Sequence, residues 1–383
     1  MSRTRALTAP GIFDGENWHN EAALVIRDGK ISDIFPAAQI PPETEIEHLQ
    51  GGFLVPGFVD VQVNGGGGVL LNNEPTLKGL AAICAAHVRL GTTALLPTLI
   101  TDTPEIRDRA IAAGIEAWEN KTPGFAGLHL EGPHLSIARK GAHDPALIRK
   151  MNGDDVEALA DARERLPIVL TTLAPESVTP VQVAALVRAG VKVSIGHSDA
   201  GAEAAAALID AGASLVTHLY NAMSQLGGRE PGLVGAALNS GGVHVGLIAD
   251  GHHVCPASME LALRAKKGPG RIFLISDAMS FAGTDETELV LNGRRILRAG
   301  GRLTLKDGTL AGADLDMAQA VRVMHQQVGL DLSEALRMAS LYPAEAVGLS
   351  GVGALRAGHN ANMVWLSDDM EIIATWIKGQ RIV

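Results

Sequence analysis

At 383 residues, with 46% hydrophobic and 19% charged residues and 44 glycines, the chain has the composition of a compact globular protein and excludes a largely disordered one. A net charge of -10 without a basic cluster argues against nucleic acid and against an anionic membrane surface as partners. Two cysteines are too few for a disulfide framework, and no run approaches the roughly 18 apolar residues of a membrane span.

The N-terminal MSRTRALTAPGIFDG has no apolar stretch of the secretory type, so a cytoplasmic address is expected. Residues 1–55 alternate short β-like runs (ALVIRDG, KISDIFP, TEIEHL) with turn residues, which predicts antiparallel strands. From 56 to 280 the pattern changes. Apolar runs, FVDVQV, ALLPT, GLHL, IVLTTL, VKVSIG, SLVTH, HVGLIA and IFLIS, alternate with Ala/Leu-rich segments of helix length, several ending in Gly. Continuously apolar strands are those buried on both faces of a parallel sheet. The expected fold is therefore α/β, a (β/α)8 TIM-like barrel.

Past Phe281 the β style returns. ELVLNGRRILRAGGRLTLKDGTL carries two hairpin signals, Asn292-Gly293 and Asp307-Gly308, and is assigned with residues 281–315 to the small domain. Residues 316–347 read as a helical extension, and 348–383, including ANMVWLSDDMEIIATWIKGQRIV, as closing strands. The whole is expected to be a barrel inserted, near Val55 and Phe281, into a small β-sandwich built from both termini.

Four of the apolar runs stop at chemically capable residues: GLHL at Glu131, VSIG at His197, SLVT at His218 and IFLI close to Asp277. Residues just past the C-terminal ends of barrel strands point into one shared mouth, so positions far apart in sequence meet there. Two imidazoles and a carboxylate form a familiar catalytic metal set that leaves a position for water. Glu131, His197 and His218 are expected to hold one divalent cation per chain, zinc first, with iron, cobalt and nickel accepted by the same ligands. His129 and His134 read as packing residues, as do Cys84 and Cys255. The run Gly65 to Gly68 lacks the spacing and Lys of a phosphate-binding P-loop and reads as a tight turn.

At HLEGPH (129–134), SIGHSDA (194–200), THLYNAM (217–223), GREPGLVG (228–235), IADGHHV (248–254) and ISDAM (275–279) the sequence resembles the N-acetylglucosamine-6-phosphate deacetylase family of the amidohydrolase superfamily. PGFVDVQVNGGGG (56–68) and GTLAGADLDM (308–317) extend the likeness over nearly the whole chain. The resemblance implies hydrolysis of an acetamide on a phosphorylated amino sugar, in amino-sugar catabolism. It implies that Glu131, His197 and His218 are the metal ligands and that Asp277 activates water and then protonates the leaving amine. His143, in KGAHDP, matches the imidazole that donates to the acyl oxygen. Asn221 and Ala222 resemble the pair whose loop contacts phosphate, Arg229 and His253 its cationic partners, with His253 favoured over the adjacent His252. A homodimer in which some phosphate contacts cross the interface is also implied.

Where many amidohydrolases carry His-x-His on the first strand, this chain reads Gln62-Val63-Asn64. Neutral amides are poor ligands beside imidazole, so a second ion is not expected, and Gln62 and Asn64 join the substrate-side residues. Three alternatives stay open. The sugar epimer, N-acetylgalactosamine 6-phosphate, differs at a single hydroxyl. Other amidohydrolases fit less well, since IVLTTLAPE offers no Lys to bridge two metals. A silent scaffold fits least, because no ligand is missing.

Overall fold

The computed structural model describes residues 4–41, 43–291 and 293–383. Eight parallel strands follow one another around a sheet in chain order: β1 (Phe58–Val63), β2 (Thr92–Ile100), β3 (Leu128–Glu131), β4 (Val169–Leu173), β5 (Lys192–Ile195), β6 (Leu215–Val216), β7 (His244–Ile248) and β8 (Ile272–Ile275). Every residue of β1 to β4 is buried, as strands covered by helices outside and packed side chains inside must be. The sheet closes between β8 and β1. Asp277 N–H donates to the Gln62 carbonyl at 3.0 Å, Asn64 N–H to the Ala278 carbonyl at 2.9 Å, and Ser276 N–H to the buried Asp60 carboxylate at 3.2 Å.

The helices between the strands start where the sequence supplies caps. Thr103 and Thr179 each precede a proline in the first helical turn, and each hydroxyl accepts from an N–H of that turn; Asn152 and Asp155 form a reciprocal capping box. Left-handed glycines, Gly91, Gly190 and Gly212, follow three of the helices and redirect the chain into the next strand. The helical segment after β8 comprises Met317–Arg322, continued by a π-helical turn at Val323–Gln327, then Leu332–Ala339 and Leu341–Val347.

The termini share one sheet. Strands Thr4–Phe13, Trp18–Arg27, Lys30–Pro36, Glu45–His48 and Phe53–Pro56 join Met363–Leu366, Ile372–Ile377 and Gln380–Arg381, the seam being the antiparallel pairing of Val55 with Val364. Leu7, Ile12, Leu24, Leu54, Met363 and Trp376 form its core.

The segment expected to complete that small domain lies elsewhere. Strands Glu288–Leu291, Arg294–Ala299, Arg302–Leu305 and Leu310–Ala313 form a separate four-stranded antiparallel sheet. Asn292 of the first predicted turn lies outside the described residues. Leu289, Leu291, Ile296 and Leu303 alternate onto one face and pack on Ile100, Met279 and Phe281 at the barrel mouth. Proximity explains the difference. Met279 and Phe281 leave β8 only a few residues before the first of these strands, and Ala313 N–H returns to the Asp277 carbonyl at 2.9 Å, so the nearest apolar surface for the hairpins is the mouth itself.

Candidate metal centre and active-site mouth

Each chemically capable residue is presented by a strand end. Glu131 is the last residue of β3, while His197, His218 and Asp277 follow β5, β6 and β8 after a single intervening residue. Those three take left-handed backbone angles, φ of 47°, 30° and 50°. Non-glycine residues adopt such angles at a cost of roughly 1–3 kcal/mol each, and the surrounding barrel must hold them there. The turn swings each side chain across the barrel axis, and all four are buried.

Glu131 Oε1 lies 3.3 Å from His197 Nε2 and 3.2 Å from His218 Nε2, and the two nitrogens are 3.0 Å apart. A tetrahedral site with bonds of about 2.0–2.1 Å has edges of about 3.3 Å, so the triangle has the size of one metal's coordination face. Tautomers agree with this. His197 Nδ1 lies 2.9 Å from the Arg139 carbonyl and must donate to it, which leaves the Nε2 lone pair directed at Glu131 and His218. Lone pairs converging on one point repel each other unless a cation sits among them, so the donor set fits a divalent ion. Glu131, His143 and His197 form a second, wider grouping, with ligand atoms within 4.8 Å of one another. Its His143 Nε2 stands 3.7 Å from Glu131 Oε2, too far for an edge of the same tetrahedron.

His143 is instead arranged as a donor. Thr101 N–H donates to its Nδ1 at 3.3 Å and the Thr101 hydroxyl lies 2.7 Å from the same nitrogen. The ring proton is therefore on Nε2, facing the mouth. Burial, reinforced by neighbouring His197, pushes this imidazole down to about 3, which keeps it neutral.

Two amides tie the carboxylates together. Gln62 Nε2 donates to Glu131 Oε1 at 3.0 Å and to Asp277 Oδ1 at 3.3 Å, and Asn64 Nδ2 donates to Asp277 Oδ1 at 2.7 Å. Asn64 lines the cavity, whereas Gln62 lies beneath it, against the carboxylates. Burial and then the Glu131 charge raise Asp277 above the usual carboxylate range, the direction a proton acceptor in water-poor surroundings takes.

These groups open into a cavity of about 380 Å³. Asn221, Ala222, His253 and Arg139 are among its lining residues, and Ile100, Ala142, Met279 and Leu291, which pack on one another, line it as an apolar patch. His253 Nδ1 lies 2.6 Å from Asp250 Oδ2 and donates to it, which leaves Nε2 for a ligand. His252 turns to the four-stranded sheet, where it accepts from Arg302 Nε at 3.1 Å. Arg229 is not brought into this mouth. It sits exposed on the loop before Gly232–Asn239, without a hydrogen bond or ion pair among the described residues. His129 lies inside the barrel, 2.8 Å from the Thr172 hydroxyl, and His134 Nδ1 donates to the Arg149 carbonyl at 3.1 Å. Cys84 is buried as expected of a packing residue, but Cys255 is exposed.

Sequence reasoning passed over Thr101, Asp250, Met279 and Leu291. Asp250 had a signal in its place two residues before His252; a Thr after a strand and two aliphatic residues carry none.

The sequence profile of the Amidohydrolase family matches residues 53–382. N-acetylgalactosamine-6-phosphate deacetylase of Shewanella sp. (strain ANA-3) is 44% identical over 368 residues, covering 96% of this chain and 93% of that protein. N-acetylglucosamine-6-phosphate deacetylase of Haemophilus influenzae is 33% identical over 363 residues, covering 94% of each. The crystal structure of N-acetylglucosamine-6-phosphate deacetylase from Pasteurella multocida superposes with a TM-score of 0.95 at 34% identity, covering 99% of both chains.

Proposed function

The chain belongs to the amidohydrolase family, and from that premise we propose that it hydrolyses the acetamide of N-acetyl-D-glucosamine 6-phosphate to D-glucosamine 6-phosphate and acetate. One observation carries the reading: a triangle of Glu131, His197 and His218 donor atoms 3.0–3.3 Å apart, with Asp277 tied to Glu131 through Gln62 and a neutral Nε2–H of His143 3.7 Å from Glu131 Oε2.

Glu131, His197 and His218 would hold the cation, most simply one zinc ion per chain, with iron, cobalt or nickel as substitutes. Bound there, a divalent ion supplies Lewis-acid polarisation of the acyl oxygen and brings the pKa of water from 15.7 down toward about 7. The chain's own groups do the rest. Asp277 takes the proton of the attacking water as the new C–O bond forms at the acyl carbon. His143 Nε2–H donates to the oxygen as negative charge gathers on it. Asp277 then returns its proton to the nitrogen, so that the C–N bond breaks with a neutral amine leaving and acetic acid left behind, whose proton passes to the amine or to solvent to give acetate. Gln62 and Asn64 hold Asp277 by one oxygen, Oδ1, which leaves the other for this traffic.

For the phosphate, Asn221 and Ala222 offer a loop at the rim and His253 Nε2 a partner oriented by Asp250. Arg229, outside its own mouth, fits a role across the interface of a homodimer. A cytoplasmic setting suits a phosphorylated amino-sugar substrate.

A second reading has a specific observation behind it: the 44% identical relative is a deacetylase of the galacto epimer. The experiment is acetate release from N-acetylglucosamine and N-acetylgalactosamine, each with and without the 6-phosphate, by protein of measured metal content. The proposal expects release from the 6-phosphates, with the gluco form preferred. A galacto preference replaces the epimer, a preference for unphosphorylated sugar removes the phosphate contacts, and no release from any of them removes the activity.

A further inference from the structure

Of the features outside the chemistry just described, the four-stranded sheet at 288–313 makes the most intimate contact with the site. It touches three loops that carry reacting or substrate-binding groups. Ala313 N–H donates to the Asp277 carbonyl at 2.9 Å, the Arg294 guanidinium donates to the Ala142 carbonyl beside His143, and Arg302 Nε donates to His252 beside His253 at 3.1 Å. Its contribution to the cavity itself is mainly apolar. Leu291 packs with Ile100 and Met279, with Ala142 against them, and all four line the mouth.

An acyl carbon has three substituents in a plane. Its oxygen belongs with His143 Nε2–H and the donor triangle, and its nitrogen with Asp277. The nitrogen carries the sugar, whose hydroxyls and phosphate suit the polar lining residues Asn221, Arg139 and His253. The third substituent, the methyl, is left with the direction of the apolar wall. The chain order agrees: Ile100 precedes Thr101, which fixes His143; Ala142 precedes His143; Met279 follows Asp277 by two residues. The wall is also closely packed: Leu291 is 1% and Met279 3% exposed, and Met279 sits so near Gly312 that a Cβ there would come within 2.5 Å of its Cγ.

We propose that this sheet is the acyl-selecting wall of the site and that Leu291 sets the longest acyl chain accepted. The proposal rests on the deacetylase reading above and adds to it a specificity residue drawn from outside the barrel. In a closed apolar pocket, one methylene more or less changes kcat/KM by about 10- to 200-fold. The experiment measures kcat/KM for the N-formyl, N-acetyl, N-propionyl and N-butyryl derivatives of the preferred hexosamine 6-phosphate. It compares wild type, Leu291→Val and Leu291→Ala at equal metal content, each series referred to its own formyl value.

The wild type is expected to fall about tenfold or more from acetyl to propionyl. The propionyl-to-formyl ratio should climb in the order Leu, Val, Ala, by about tenfold at Ala. Should Leu291→Ala fail to fold, Leu291→Val removes one carbon and still reads the direction. A sheet that merely supports the loops would lower all four substrates together, leave the ratios unchanged and overturn the proposal while the deacetylase reading stands. A metal-loaded wild type that releases no acid from any of them overturns both.

Discussion

The barrel rim and the four-stranded sheet above it are both β structure against one cavity, yet they serve it in opposite ways. Rim strands are parallel and almost wholly buried, and four of them lead at their C-terminal ends into a residue whose type declares its chemistry: Glu131, His197, His218, Asp277. The sheet is antiparallel and half solvated, with Val290 and Leu297 exposed and Leu289, Leu291 and Ile296 turned inward. It brings apolar bulk to the mouth, which fixes shape and not reactivity. Chemistry and selectivity therefore come from segments of different construction, and they should break separately.

The largest separation is expected at Asp277. Asp277→Asn keeps size and shape but cannot take a proton, and general acid–base groups contribute about 10²- to 10⁴-fold each way of transfer. Turnover should fall by about 10⁴-fold with metal content unchanged, read by acetate release and by elemental analysis. Near-normal turnover would place the proton chemistry elsewhere and dissolve the contrast.

Acid stability should separate the regions next. His87, whose Nε2 donates to the Gly65 carbonyl at the rim, is pushed down to about 4 by burial, and His134 likewise to about 4, burial outweighing the pull of Asp155. Their folded values lie below the unfolded one of about 6.5, so the unfolded chain binds protons first as pH drops. The stability tied to each neutral ring is complete above about pH 6.5 and is lost as pH falls toward 4, by about 3 kcal/mol per histidine. Residues 288–313 contain no histidine. Urea unfolding of His87→Gln between pH 7 and 4 should show a flatter dependence than wild type; an identical slope would mean that the imidazole is not neutral in the folded state.

The same contrast governs what could be read in advance. The eight barrel strands were visible because burial on both faces leaves an unbroken apolar run, and Glu131, His197 and His218 because metal-type residues at three strand ends are rare by chance. Asp277 stood out by type and place, whereas His143, in a loop without regular structure, was signalled only by its surrounding motif. Leu291 and Met279 carry no signal, since an aliphatic residue at a cavity and one in a core look alike until the chain is folded. The hairpins at 288–313 were recognisable as hairpins, but an amphipathic hairpin does not say which apolar surface it will cover. Proximity to Phe281 decided that, and proximity is a property of the fold.

The seam between the regions is open to a smaller test at Gly312. Its φ is 70°, and an added Cβ would meet Met279 Cγ at 2.5 Å and the Asp277 carbonyl at 3.0 Å. Gly312→Ala must therefore strain its own backbone or push Met279 and the Asp277 turn. Displacement of a reacting group by about 1 Å costs on the order of 10²-fold, so kcat is expected to fall by about 10- to 100-fold with metal content retained. An unchanged kcat would show that the sheet can shift without moving Asp277.

The finest test is a cation that holds the sheet to the His143 loop. Arg294 leaves the second strand of the sheet and donates to the Ala142 carbonyl, one residue before the imidazole proposed to face the acyl oxygen. A hydrogen bond from a charged donor contributes about 1.5–3 kcal/mol when buried, and partial exposure of Arg294 brings the expected value nearer to 1 kcal/mol. His143 is also fixed by Thr101, so Arg294→Ala should loosen the loop without releasing it, lowering kcat by about fivefold and leaving KM for the phosphorylated sugar nearly as it was. Arg294→Lys should recover part of the loss, because an ammonium can reach the same carbonyl as a single donor. A rise in KM with kcat intact would put the guanidinium on the substrate's path instead, and the sheet would then contribute charge as well as shape.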